Sequence, residues 1–521
     1  MPPSSHNQIP GHGGPIDLGY TKHIPTFVNT TLFGRRVSIY KNVRFTNPPT
    51  GDLRFQKPDT DLPNTQGIQD GHVPWGSADC ITSAPAAIPF PDINGTAWGH
   101  EDCLFLDVYV PKGVQPGDQV PVLHYFIGTP YAFGSKEMFS NPMGLFDSAS
   151  EESKTIFVVD NYRLGMPGWM YVPGFDMDAN LGVHDCLVAV KWTSKYIYYF
   201  GGDSKRVTVV GQSNDWCQRS FYIYTLPCHN SLANGTLMTL QAIISSPDIP
   251  SRRNVTERQQ DLFQYVLNAA NCTSLRCLRS VPEEVLLRAN DVVVSQLPST
   301  GGGGVFGPVI GFGPVPDGQS IPDIPEALSQ LGKYHKEIRG LFLTPDDDGA
   351  NQLQGNGTSP DTNMPEGFPA LLRRILPTAS NETIATIRAQ YAYSEPPQLT
   401  GDWTTDVIYG YNAYNVANAF RDRTRRYIMP IPPGTHGQDV FYYFYYDQNI
   451  TPVADPSLAL EFRQRVLKFV HGAGISRPVY GTTQNIFNVA DNGFESTPLL
   501  AVLKSLCEMI NKVVLDRANG A

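Results

Sequence analysis

The chain contains no run of about 18 or more consecutive apolar residues, so it offers no membrane-spanning helix. It also lacks any basic block. With 49 acidic against 39 basic side chains, its formal net charge of −10 is unsuited to a nucleic-acid footprint. Cysteine is scarce, eight in 521 residues, and none has a His or Cys partner at zinc-finger spacing, so neither metal nor cofactor is expected. The segment Met1 to Gly14 has no apolar stretch of the secretory-leader kind. Residues 1–25 are therefore expected to be a flexible start. No internal repeat is present.

What the chain does contain is an ordinary apolar fraction, 41%, enough for a large core. Its length would hold about three average domains, yet α/β enzymes with large insertions run this long as one unit, and a single domain over 1–521 is expected. Cys80 with Cys103 and Cys272 with Cys277 each bracket a loop rich in turn residues, which suits local disulfides better than metal ligation. Cys186, Cys217, Cys228 and Cys507 have no evident partners and read as buried thiols. Asn-x-Ser/Thr sequons stand at Asn29, Asn94, Asn234, Asn254, Asn271, Asn356, Asn381 and Asn449, roughly twice what chance predicts. Sequons and cysteine placement point to the secretory pathway, any leader lying outside this numbering; the cytoplasm is the alternative.

Read in order, residues 26–58 form a hairpin-like opening closed by Asn47-Pro-Pro-Thr-Gly51. Strands are expected at Glu101–Val110, Val120–Ile127 and Thr155–Asp160, the last a buried, β-branched parallel strand. Asn180–Phe200 has the apolar spacing of a helix packed on a sheet. This alternation is the doubly wound α/β pattern, whose ligand site lies at the carboxyl ends of the strands. Beyond it come two or three amphipathic helices over 255–295 and the run Ser299–Gly304, a flexible hinge or a loop over the site, followed by a strand at Gly340–Thr344. Residues 350–425 read as mostly helical, so cap-like insertions are expected over about 255–425. Val440–Tyr446 reads as an aromatic strand, and Ser496-Thr-Pro498 as the start of a closing helix.

One stretch carries chemistry: Arg206-Val-Thr-Val-Val-Gly-Gln-Ser213-Asn-Asp-Trp-Cys217. A short β-branched strand runs into Gly211-Gln212-Ser213 and then a helix. That strand-to-helix corner lifts a serine hydroxyl above a parallel sheet, toward a base on one side and free N–H groups on the other. A full G-x-S-x-G elbow would have glycine at 215; here it is Asp215, which in the first helical turn would favour the helix dipole.

The order of motifs resembles the type B carboxylesterase, lipase and cholinesterase family of α/β-hydrolases. The likeness covers most of residues 26–445. It rests on Pro48–Phe55, Glu101-Asp-Cys-Leu-Phe-Leu106, Asn161-Tyr-Arg-Leu-Gly165 and the series Asn180, Gly182, Asp185, Ala189, Trp192. Phe200-Gly-Gly-Asp203, Phe312–Gly318 and His436-Gly437 complete it. The resemblance implies an α/β-hydrolase fold, with a mostly parallel, doubly wound central sheet and helical cap insertions. It also implies the pairs Cys80–Cys103 and Cys272–Cys277, and frequent secretion as a glycoprotein.

Carried over residue by residue, the resemblance puts the nucleophile on Ser213, the histidine on His436 and the acid on Asp348, in the order Ser, acid, His. Two plainer readings stand beside these: His436 as a cap on the aromatic strand, and Asp346 or Asp347 in place of Asp348. The oxyanion donors fall on Thr129 and Asn214, while Pro130 occupies a third donor position and has no N–H. Tyr131 and Trp216, beside these motifs, are candidate substrate-binding residues. The expected activity is hydrolysis of a small or medium apolar ester or lactone, weakened at the oxyanion hole. The alternatives are a non-hydrolytic enzyme, such as a cyclase, lyase or pericyclic catalyst of secondary metabolism, and a cholinesterase-like binding module. A small apolar substrate is the expected partner, with no nucleic acid and no membrane span; a homodimer is left open.

Overall fold

Runs such as Val120-Pro-Val-Leu-His-Tyr-Phe126 and Ile156-Phe-Val-Val-Asp160 are apolar on both faces, which suits strands covered on two sides, and both are buried almost throughout. A computed structural model describes residues 15–84, 93, 95–128, 131–138, 140–212, 241–247, 253, 256–296, 312–334, 338, 340–344, 367–392, 399, 402–403, 405–432, 434, 436–472, 480, 484–490, 493–499 and 501–520. Its strands are β1 Ile16–Asp17, β2 Lys22–His23, β3 Phe27–Thr30, β4 Arg36–Arg44, β5 Ile68–Gln69, β6 Thr82–Ala84, β7 Thr96–Trp98, β8 Phe105–Pro111, β9 Val120–Phe126, β10 Ile156–Asp160, β11 Gly202–Gln212, β12 Gln241–Ser245, β13 Gly340–Thr344, β14 Thr424–Ile428, β15 Asn485–Ala490 and β16 Gly493–Pro498. Eleven of these form one sheet in the order β16-β15-β14-β13-β12-β11-β9-β10-β8-β4-β3. From β10 to β15 neighbouring strands are parallel; β16 at one edge and β8, β4 and β3 at the other pair antiparallel. This is the α/β-hydrolase arrangement expected above. A separate three-stranded sheet, β1-β2-β5, orders residues 16–17 and 22–23 of the segment expected to be flexible by pairing β2 with Ile68–Gln69.

The helices that matter below are α1 Leu181–Tyr196, α2 Thr256–Ala269, α3 Leu275–Ser280, α4 Glu283–Gln296, α5 Gly367–Ile375, α6 Asn381–Gln390, α7 Tyr411–Phe420, α8 Gln438–Tyr443, α9 Pro456–Val470 and α10 Ala501–Leu515. The 255–295 stretch resolves into α2, α3 and α4, and part of 350–425 into α5, α6 and α7. Among the described residues no helix is long and apolar enough to cross a membrane.

The motif residues serve the frame. Asn180, held left-handed at φ 58, fixes the entry to α1 by exchanging two amide hydrogen bonds with Val315, at 2.8 and 2.9 Å. Two residues on, a Cβ on Gly182 would lie 2.5 Å from the Trp169 ring, so only glycine lets α1 approach there. Asp185 is fully buried and takes two guanidinium bonds and a backbone N–H from Arg163, each at 2.8–3.0 Å. One turn from the end of α1, Trp192 donates to the Tyr20 hydroxyl at 2.7 Å. Arg54 clamps Glu101 through two 2.6 Å bonds and donates to the carbonyls of Leu278, Arg279 and Val281 at the end of α3.

Disulfides join Cys80 to Cys103 and Cys272 to Cys277. Cys186 is disulfide-bonded too, with its partner outside the described residues, which corrects its reading as a thiol. Cys507 is a buried free thiol, as read. Two element expectations also fail. The aromatic run at 440–446 is not a strand: from Gly437, left-handed at φ 77, the chain enters helix α8, burying Val440, Tyr442 and Tyr443 while Phe441 is exposed. Ser496-Thr-Pro498 does not start a helix but ends edge strand β16, where proline owes no N–H to a neighbour; α10 starts at Ala501.

Candidate active site

Strands β9 and β11 lie side by side and parallel, with Gly211 opposite Phe126, so the residues that leave their carboxyl ends emerge together. One end is Ile127-Gly128 and the other is Gln212, immediately before Ser213. The two corners touch: a Cβ on Gly128 would sit 2.0 Å from the Gln212 carbonyl oxygen. Only glycine permits that approach. The Tyr162 hydroxyl donates to the Ile127 carbonyl at 2.9 Å and fixes the first corner from below.

His436 reaches the same place from far along the chain. Its Nε2 lies 3.2 Å from Gln212 Nε2, and its ring rests against that of Tyr409 at 4.6 Å between centroids. Gly437 continues the approach, with a Cβ there lying 3.2 Å from the Gln212 amide. With the amide N–H₂ donating, His436 Nε2 is the acceptor of this contact. Thus the imidazole stands beside the residue that directly precedes Ser213.

A buried polar set that the sequence did not reveal lies behind this loop. Tyr427 of β14 donates to Asp439 Oδ2 at 2.8 Å, and its hydroxyl oxygen is 3.4 Å from those of Ser245 and Tyr443. Burial, then the Asp439 charge, pushes the Tyr427 phenol well above its ordinary range, so it stays a donor. The network ties β12, β14 and α8 together and anchors the helix that begins at Gly437. Its only sequence signal was Asp439, three residues past His436 and directly before the aromatic run.

The loop after Gly128 is anchored downstream. Gly134 N–H donates to Thr82 Oγ1 at 3.0 Å, and Lys136 N–H to Asn161 Oδ1 at 2.8 Å. The Lys136 ammonium, wholly buried, lies 2.9 Å from Asp107 Oδ1. Tyr131 holds a left-handed φ of 61, its ring edge-on to Trp169 at 4.9 Å and fully buried. Below, in the sheet, His124 Nε2 meets Asp160 Oδ1 at 2.7 Å and its Nδ1 lies 3.1 Å from Thr193 Oγ1. Burial pushes that imidazole down to about 3, so it is neutral, and holds the Asp160 carboxyl well above its usual range.

Of the predicted site residues, His436 and Tyr131 are therefore placed; Ser213, Asp348, Thr129, Asn214 and Trp216 lie outside the described residues. Four sequon asparagines, Asn29, Asn271, Asn381 and Asn449, are exposed; Asn94, Asn234, Asn254 and Asn356 lie outside the described residues.

A model of the Carboxylesterase family matches residues 27–475. Carboxylesterase patB of Penicillium expansum is 27% identical over 552 residues, covering 93% of this chain and 93% of that protein. A secreted lipase of Arthroderma benhamiae is 25% identical over 488 residues, 84% of this chain and 90% of that one. Among solved structures, that of Aspergillus niger EstA superimposes with a TM-score of 0.76 at 19% identity, covering 98% of this chain and 99% of that chain.

Proposed function

The chain belongs to the Carboxylesterase family and is a carboxylic ester hydrolase of the serine type, and from this premise we propose that Ser213, His436 and Asp348 cleave small or medium apolar esters or lactones. The observation that carries the assignment is the 3.2 Å contact of His436 with Gln212, the neighbour of Ser213 in the chain. In this reading His436 Nε2 takes the Ser213 proton as Oγ attacks the ester carbonyl. Asp348 holds the Nδ1–H side and stabilises the imidazolium. Collapse of the tetrahedral intermediate expels the alcohol, protonated by His436, and leaves an acyl-serine. Water, activated by the same imidazole, then releases the acid.

Thr129 and Asn214 supply the backbone N–H groups for the oxyanion, while Pro130 supplies none. A missing donor costs on the order of 10²–10³ in kcat, so turnover of unactivated esters is expected to be slow relative to acylation by activated ones. Tyr131, fully buried, acts as a support beneath the corner rather than as the substrate contact expected of it, and Trp216 is proposed as a substrate contact. The two located disulfide pairs, the exposed sequons and a relative named as secreted support a secretory route.

Labelling with a fluorophosphonate probe, read beside p-nitrophenyl butyrate turnover, tests the assignment. The wild type should label once per chain and turn over the ester, and Ser213→Ala and His436→Ala should abolish both. Labelling that survives Ser213→Ala would remove Ser213 from the nucleophile role. Labelling of the wild type without turnover would instead favour non-hydrolytic chemistry.

A further inference from the structure

A cavity of about 360 Å³ opens at the end of the sheet where β9 and β10 begin, the end opposite the β9–β11 corner. The strand registers place it there. Val37 of β4 stands opposite Pro111 at the close of β8, β8 runs antiparallel to β10 with Tyr109 opposite Phe157, and Lys154 precedes β10 by two residues. Its size lies within the range of small-molecule sites. The floor is apolar and buried, formed by Val37, Phe146 and Ala149. The turn between β3 and β4, which supplies the lining residue Gly34, also carries Leu32 and Phe33, 54% and 77% exposed.

The rim is cationic. Arg35, Arg36, Lys112 and Lys154 line the cavity, and among the described lining residues Glu151 is the one carboxylate. That carboxylate is shared: Oε2 lies 2.8 Å from the Lys154 ammonium and Oε1 3.8 Å from the Arg35 guanidinium. Lys154 Nζ also reaches toward the lining residue Gly113, where a Cβ would lie 3.6 Å from it. The bond from Lys154, then its charge and that of Arg35, hold the Glu151 carboxyl below its ordinary range, the mark of a positive field at the rim. Asp147, beside Phe146, is turned to the hairpin, where it accepts from the Thr31 hydroxyl and the Phe33 N–H.

Arg36 and Lys112 are held side by side, the Lys112 N–H donating to the Arg36 carbonyl at 2.8 Å. Neither side chain has an ion-pair or hydrogen-bond partner among the described residues. Four cations around one carboxylate leave a surplus of positive charge, and an anion between them offsets the repulsion. The floor then selects among anions. An inorganic ion gains nothing from Val37 and Phe146, whereas an alkyl or aryl group gains by covering them. A planar carboxylate head takes two parallel N–H bonds from a guanidinium, which Arg36 has free to give. The acids released by ester hydrolysis belong to this chemical class.

We propose that this cavity binds an amphipathic organic anion, a medium-chain alkyl or aryl carboxylate, with its head at Arg36 and Lys112 and its tail over Val37 and Phe146, at a site separate from ester hydrolysis. Calorimetry on the full chain tests this with octanoate and phenylacetate as probes, octanamide as the uncharged counterpart, and acetate and inorganic phosphate as heads without a tail. Octanoate should bind about tenfold or more tighter than octanamide, acetate or phosphate, and less tightly as salt is raised. Arg36→Gln and Lys112→Gln should each weaken it about threefold or more. Glu151→Gln, which releases Lys154 and Arg35, should tighten it about twofold or more. In all three variants, none of which removes a buried side chain, kcat/KM for p-nitrophenyl butyrate should keep its wild-type value. Absence of octanoate binding overturns the proposal, as does octanamide or phosphate binding as tightly. An octanoate affinity that none of the variants alters would put the acid at the catalytic centre and overturn it equally. So would binding to phosphatidylserine vesicles without binding of free octanoate, which would make the rim a membrane contact.

Discussion

Gly128→Ala is the most direct test of the claim that the β9 and β11 corners set the chemistry. The added Cβ would lie 2.0 Å from the Gln212 carbonyl oxygen and 2.8 Å from its carbon, both backbone atoms. Relief to an ordinary contact of about 3.4 Å requires the carbonyl to recede by about 1.4 Å. Gln212 ends a strand paired to β9 through Gly211 and Phe126, so the displacement has to pass to one of the two corners. Either way the residue after Gln212 moves relative to His436, whose 3.2 Å contact is made to the Gln212 side chain. A misplacement of about 1 Å at a reacting centre costs on the order of 10² in rate, and overpacking costs about 1–3 kcal/mol of stability. The expected result is a kcat/KM for p-nitrophenyl butyrate lowered about 100-fold, with a modest loss in urea unfolding. Gly410→Ala is the control, since a Cβ there meets nothing nearer than 3.7 Å. A Gly128→Ala enzyme with kcat/KM within a factor of about 2 of wild type would refute the reasoning.

Two further outcomes follow from buried groups. Tyr427→Phe removes the donor to Asp439 Oδ2 and should cost about 1–3 kcal/mol in unfolding, with a fall in kcat larger than any change in KM if the proposed role of His436 holds, because Gly437, which caps α8, adjoins His436; unchanged stability and kcat would show the network to be idle. His23, pushed down from 6.5 to about 4 by burial, is neutral in the folded protein where an unfolded chain is protonated. Folding then excludes a proton, so its contribution is full above pH 6.5 and is lost as pH falls toward 4, at about 1.4 kcal/mol per pH unit in that window. Urea unfolding from pH 7 to 4.5 should therefore show a shallower pH dependence for His23→Gln than for wild type, and equal slopes would contradict it.

The sheet was legible because its signals are local. Ile156–Asp160 and Val120–Phe126 are runs whose burial on both faces follows from composition alone, and strand β11, which leads to Ser213, announced itself through its β-branched residues. The aromatic run at 440–446 misled because bulky aromatics favour strands in general, whereas the local outcome depended on Gly437 turning the chain left-handed and starting a helix there. Pro498 misled for the complementary reason: proline suits a helix's first turn and the end of an edge strand equally well, and only pairing with Asn485 separates them. Cys186 was read as a thiol because its disulfide is not a short loop of the Cys272–Cys277 kind.

Within the site, the sequence pointed to residues with a proposed chemical role and not to those with a positioning role. His436 drew notice through its Gly-Thr-His-Gly setting. Tyr427, Tyr443 and Ser245 belong to three different elements and meet only because β12, β14 and α8 converge. No spacing along the chain encodes that meeting. The same logic bears on Pro130. On the proposed assignment, a chain with Pro130 at one oxyanion position, a close-packed Gly128, a Gln212 amide on the imidazole and a buried support under α8 keeps the long-range part of the proposed apparatus. The imidazole can act as a base only while that support stands, whereas an N–H donor scales the rate by a finite factor. On the proposed assignment, transition-state stabilisation is reduced only in steps that build negative charge on a carbonyl oxygen.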